Sequence, residues 1–174
     1  SLFIAGNEND TVYQYTLSTA WDVSTASYAS KSFSFSSQDT ASTGIEFIYD
    51  GTIMYASGSG TDTIYQYNLS TAWDVSSASY ASKSFSVSLL DGGPRQLYVS
   101  PSGDKLWFMG ISTDTVYELD LSTGFDISTA SYNSVSFSVS SQDSIPTGVF
   151  FKNDGSKMYA IGISTDAIYQ YSTT

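Results

Sequence analysis

The chain has no cysteine and no histidine among its 174 residues. The first absence removes disulfides, thiolate nucleophiles and Cys-based zinc sites, and leaves the redox compartment open. The second removes the commonest general base and the commonest transition-metal ligand at neutral pH. Basic residues are scarce as well: 6 Lys and Arg stand against 17 Asp and Glu, for a net charge of -11. Such a field repels phosphate backbones and anionic lipid, so neither nucleic acid nor a membrane surface is an expected partner. No apolar run approaches the ~20 residues of a membrane span. The opening Ser1 to Asp10 has no basic segment leading into an apolar one, so the chain reads as already mature or cut from something larger.

What the chain has in quantity is Ser, Thr, Tyr and Phe, with only 13% charged residues. β-Branched and aromatic residues fit a pleated, half-buried surface better than a helix, so the expected class is all-β. A 52-residue period organises it: the repeats run 11–62, 63–114 and 115–166, with partial repeats at 1–10 and 167–174, in a single repeat domain over 1–174. From Thr11 and from Thr63, 23 of 29 aligned positions are identical, which indicates one structural unit copied in tandem.

Each repeat predicts four short strands. In Lys31 to Ser37, Phe33 and Phe35 alternate with serines, as an outer strand with one buried face; Phe85, Val87, Phe137 and Val139 take the same side in the other copies. Gly44 to Tyr49, Gln96 to Ser100 and Gly148 to Lys152 are almost continuously apolar, which implies cover on both faces. A tight glycine turn at Asp50-Gly51, Ser102-Gly103 or Asp154-Gly155 leads to a third strand, and Thr11 to Leu17 with its copies makes the fourth. Ser18 to Tyr28, with copies from Ser70 and Ser122, reads as an ordered loop pinned by Trp21, Trp73 or Phe125 and by Asp22, Asp74 or Asp126.

Four antiparallel strands per unit, stacked unit on unit, is the logic of a β-propeller blade. The stretch Val149 to Tyr171 resembles the "YVTN" or lactonase-like propeller repeat, with a strand, a Pro-Asp-Gly-type turn, a Tyr-bearing strand and a short dividing turn. The whole chain is also similar to tandem repeats in predicted proteins of marine bacteria and their viruses. Asn153 departs from the usual proline, and Pro101-Ser102-Gly103 lacks the aspartate. The resemblance implies a propeller of about four blades with 14 strands, the two end blades having three strands each. A β-solenoid is the alternative. The ragged ends lead us to expect self-association or a longer parent chain that completes the ring.

The candidate ligand-binding residues are Trp21 and Asp22, Trp73 and Asp74, and Arg95. The Trp-Asp pairs could stack on and hydrogen-bond a glycan, although an aromatic recurring once per repeat also suits packing between blades. Arg95, the only arginine, lies where the middle repeat breaks pattern at Leu89 to Gln96, and could bind a carboxylate. Asp39, Asp91, Asp143 and the Asp10, Asp62, Asp114, Asp166 series admit calcium, but they lack calcium-loop spacing and suit turn capping better. No other cofactor is expected. The lactonase-like resemblance implies a metal in the central funnel, for which the chain offers no histidine. Serines abound without a histidine or cysteine and without a Gly-x-Ser-x-Gly elbow, so no catalysis is expected. The reading is a non-catalytic propeller module with a structural or recognition role in a larger extracellular or virion-associated protein. A carbohydrate-binding module and a lactonase-like metal-dependent hydrolase are the alternatives.

Overall fold

The structure, a computed structural model, describes residues 1–173; Thr174, the last residue of the partial repeat 167–174, lies outside the described residues. The first sheet is β1 (Leu2–Gly6), β2 (Thr11–Leu17) and β3 (Ala26–Ser34). The second is β4 (Ser42–Phe47), β5 (Ile53–Gly58), β6 (Thr63–Leu69) and β7 (Ala78–Ser86). The third is β8 (Pro94–Val99), β9 (Lys105–Gly110) and β10 (Thr115–Leu121), with β11 (Ala130–Ser131) and β12 (Ser136–Ser138) both on the edge of β10. The fourth is β13 (Pro146–Phe151), β14 (Lys157–Gly162) and β15 (Ile168–Ser172). Every pairing is antiparallel, which rules out the solenoid.

Three details differ from the sequence expectation. The stretch from Ser18 is only half loop: it holds a short 3-10 turn, Val23–Thr25, and β3 already starts at Ala26. The inner strands begin two residues early, because Thr43 and Ser57 hydroxyls bond the Pro94 and Arg95 carbonyls and tie β4 to β8. The outer strand of the third sheet is split in two, which yields 15 strands rather than 14. The split falls at a bulge also present in the other sheets, where Ser30, Ser82 and Ser134 all have positive φ.

Three apolar cores lie between successive sheets. Val12 and Phe35 meet Met54, Tyr67 and Val75; Tyr55, Ile64 and Val87 meet Leu106, Phe108, Leu119 and Ile127; Met109, Val116 and Val139 meet Val149, Phe151 and Met158. The middle sheets are therefore covered on both faces, and each fully buried Leu, Ile or Phe contributes about 1.5–3 kcal/mol. Each sheet straddles two sequence repeats, since β4 and β5 belong to 11–62 and β6 and β7 to 63–114.

The recurring aspartates clip the strand-turn-strand corners. Asp39 accepts from the amides of Ala41 (2.7 Å), Gly60 (3.2 Å) and Thr61 (2.9 Å) and from the Thr61 hydroxyl (2.6 Å). Asp91 repeats the set with Gly93, Ser112 and Thr113, and Asp143 with Ile145, Ser164 and Thr165. The carboxylate lies so close to the end of the third strand that any β-carbon at Gly58, Gly110 or Gly162 would collide with it.

Candidate functional site

The joints between sheets decide where a site can form. In the first joint the Trp73 amide donates to the Gly51 carbonyl (2.9 Å), and the indole covers Gly51 and packs near Phe3 and Phe47. Gly51 has φ +72°, and it leaves the space that the ring occupies. Asp74 caps the 3-10 turn Val75–Ser77 through the Ser76 amide (3.0 Å) and takes Lys31 of the previous sheet (2.6 Å). Lys31 first, and Ser76 second, hold the Asp74 carboxyl below the usual carboxylate range. Val75 is fully buried, and its amide donates to the Gln14 side-chain oxygen (3.1 Å). The second joint copies the first: Phe125 covers Gly103, Asp126 takes Lys83 (2.7 Å), and the Ile127 amide donates to Gln66 (3.0 Å).

Trp73 and Asp74 are thus structural members of the first joint, with Trp73 40% exposed. Trp21 and Asp22 occupy the same positions on the first sheet, where no preceding sheet covers them, and Trp21 is 96% exposed. Asp22 caps its own turn through the Ser24 amide (3.0 Å) and hydroxyl (2.6 Å). Arg95 lies on β8; its Nε is buried and, among the described residues, without a hydrogen-bond partner. These five residues belong to different sheets and do not form one constellation.

The third joint is open. Gly155 has φ +73° like its counterparts, yet nothing lies within 4 Å of where its β-carbon would be. Two adjoining hollows of about 320 and 450 Å³ share Trp107, Glu118, Phe151 and Thr173 in their walls. Phe137, expected on the buried side of its strand, is 48% exposed because it faces this groove. Trp107, expected in the core, is a half-buried wall residue 4.6 Å from Phe151 between ring centroids. Glu118 stands in the place of Gln14 and Gln66, and Val135 in the place of Lys31 and Lys83. Lys105 pairs with Glu118 and with Asp120 (2.8 Å), while the Trp107 indole N–H donates to Glu118 (3.0 Å). Those bonds, to Asp120 first and then Glu118, raise the Lys105 ammonium pKa above its ordinary value.

The residues present do not fit the metal that a lactonase-like funnel implies. Among the described residues no group of three or more Asp or Glu could hold an ion, and Asp39, Asp91 and Asp143 are already bonded to amides.

No family model and no curated protein matches the chain. Solved structures do. One from Bacteroides uniformis, described as a candidate 6-phosphogluconolactonase, superposes with a TM-score of 0.67 at 16% identity over 99% of this chain and 50% of that one. The fold is a β-propeller. A protein from Lactobacillus plantarum (TM-score 0.62, 15% identity, 99% of this chain, 50% of that) and a second candidate 6-phosphogluconolactonase from Bacteroides fragilis (0.62, 15%, 98%, 52%) are similar in the same way. The chain spans about half the length of these propellers. They correct one expectation. The lack of histidine and cysteine was taken to exclude an enzyme, but proteins described as candidate lactonases carry this fold, so that exclusion does not stand.

Proposed function

We propose that the chain is a recognition and assembly module, an arc of a lactonase-like β-propeller working within a larger extracellular or virion-associated structure. The pair of unmated end faces carries this reading. On the first sheet, Leu2, Ile4, Tyr15, Leu17 and Val23 hold the positions that Met54, Ala56, Tyr67, Leu69 and Val75 hold in the first core, yet Ile4 is 48% and Val23 68% exposed. On the fourth sheet, Phe150, Tyr159, Ile161 and Ile168 repeat Tyr98, Trp107, Met109 and Val116 of the third core, with Phe150 56%, Ile161 46% and Ile168 69% exposed. The two faces are complementary by the chain's own packing rule, back of one sheet against front of the next, so a second copy stacked head to tail covers both. Two copies bring eight blades, within the four to eight usual for propellers.

Light scattering on the chain tests this. Self-association is expected, abolished by Ile168→Asp or by Val23→Asp, while a mixture of the two variants recovers one intact contact and forms a pair. A monomeric unaltered chain would refute it.

A second reading, an enzyme of the lactonase-like group, is favoured by the description of two similar structures as candidate 6-phosphogluconolactonases. The net charge of -11 opposes an anionic substrate. Lactone hydrolysis followed by pH-stat decides it, and a rate no faster than buffer alone would sink it.

A further inference from the structure

We infer that the groove between the third and fourth sheets docks an extended segment of another polypeptide. That segment places an aromatic side chain over Gly155 and a β-branched one two residues later, with no acidic side chain between them. This rests on the groove, not on the end faces, and the two can fail separately.

The other joints show what the groove is shaped to hold. Trp73 fills the space bounded by Phe3, Phe47 and Gly51, whose counterparts by the 52-residue period are Trp107, Phe151 and Gly155. Those three line the larger hollow. Val75 packs among Val12, Phe33, Met54 and Tyr67, whose counterparts Val116, Phe137, Met158 and Tyr171 line the smaller one. The acceptor for the β-branched residue's amide is also in place, because a Glu118 oxygen stands where Gln14 and Gln66 oxygens take the amides of Val75 and Ile127. Beyond the groove β15 has an open edge, since the fourth sheet ends there, whereas β6 pairs with β7. A guest strand continuing from the groove adds to that edge by main-chain hydrogen bonds.

The preference against an acid follows from two substitutions. Asp74 and Asp126 each meet a lysine, Lys31 or Lys83. In the third joint Val135 replaces that lysine, Glu118 replaces the neutral glutamine, and Lys105 is already shared by Glu118 and Asp120. An aspartate in the guest would face a carboxylate without its cation.

The test titrates labelled peptides of residues 70–88 into the intact chain and reads fluorescence anisotropy. A peptide carrying Asp74→Ser is expected to bind about fivefold more tightly than the unaltered one, the scale of a partly exposed ion pair. Trp73→Ala in the peptide should abolish binding. In the chain, Val135→Lys should reverse the preference in favour of the Asp74 peptide; Val135 is 48% exposed, so this variant folds, which circular dichroism checks. Absence of binding by every peptide, capture of a glycan but not of peptide, or an unchanged preference in the Val135→Lys chain would each overturn the inference.

Discussion

Replacing Glu46 by glutamine should stabilise the protein near neutral pH and do little in acid. Glu46 lies on β4, at the position held by Tyr98 and Phe150 in the next two inner strands. Burial pushes its carboxyl up from 4.5 to about 7, with the backbone of Val99 pulling the other way. A carboxyl raised in the folded state binds its proton more tightly there than in the unfolded chain. Folding is therefore unpenalised below 4.5, becomes steadily less favourable as pH rises from 4.5 to about 7, and carries the full penalty above that. The difference of about 2.5 pH units, at 1.36 kcal/mol each, sets that penalty at about 3 kcal/mol. Partial exposure of the side chain brings the expected value nearer ~2 kcal/mol. The assay is urea denaturation at a series of pH values between about 4 and about 8 for the unaltered chain and Glu46→Gln. Asp74, Asp104, Asp120 and Asp126, all held below the ordinary 3.8 chiefly by hydrogen bonds from Lys31, Ser102, Lys105 and Lys83 in turn, lose stabilisation only as pH falls further, and do so equally in both proteins. The curves should coincide in acid and separate through the window, with the variant above. Parallel curves would refute burial of the charge as the cause.

Gln66→Ala strips the acceptor from the buried Ile127 amide and should cost about 1–3 kcal/mol, whereas Gln170→Ala, at the exposed equivalent position on β15, should cost almost nothing; equal midpoints in urea would show that the joint bond contributes nothing. Gly51→Ala and Gly155→Ala share the same left-handed strain of about 1 kcal/mol, but only the first drives a methyl into Trp73, so its thermal midpoint should fall distinctly further. Asp91→Ala frees three amides and a hydroxyl at one corner and should cost about 3 kcal/mol or more; a loss below ~1 kcal/mol in urea denaturation would mean that water replaces the clip.

Local signals in the sequence reached the sheets but not the joints. The Phe33 and Phe35 alternation, the glycine turns and the period of 52 are short-range patterns, and the strand order follows from them. The contacts that fasten sheet to sheet span more than one repeat: Gln14 to Val75 and Gln66 to Ile127 are each 61 residues apart. Within its own strand Gln14 is an unremarkable polar residue. Its meaning lies in a loop two strands beyond the next inner strand. For the same reason Trp73 read as a possible ligand platform, when it also closes a joint, and the groove by Glu118 and Val135 went unnoticed although both substitutions are plain in the alignment.

A departure in one copy acquires a physical meaning only through its partner in another. Asp10 accepts from the Ser42 amide at 3.2 Å, but the positions equivalent to Ser42 are Pro94 and Pro146, which have no N–H to give. Asp62 Oδ1 is accordingly buried with no partner. Repetition preserved the acceptor after its donor was lost, and the same logic applies to Glu118, an acceptor kept in a joint whose donor is absent from the described chain. The two differ in access: Asp62 is enclosed by its own corner, whereas Glu118 opens onto a groove of several hundred cubic ångströms. Only the second can be satisfied from outside, which is why the third joint, and not the orphaned aspartate, is the place to look for a partner.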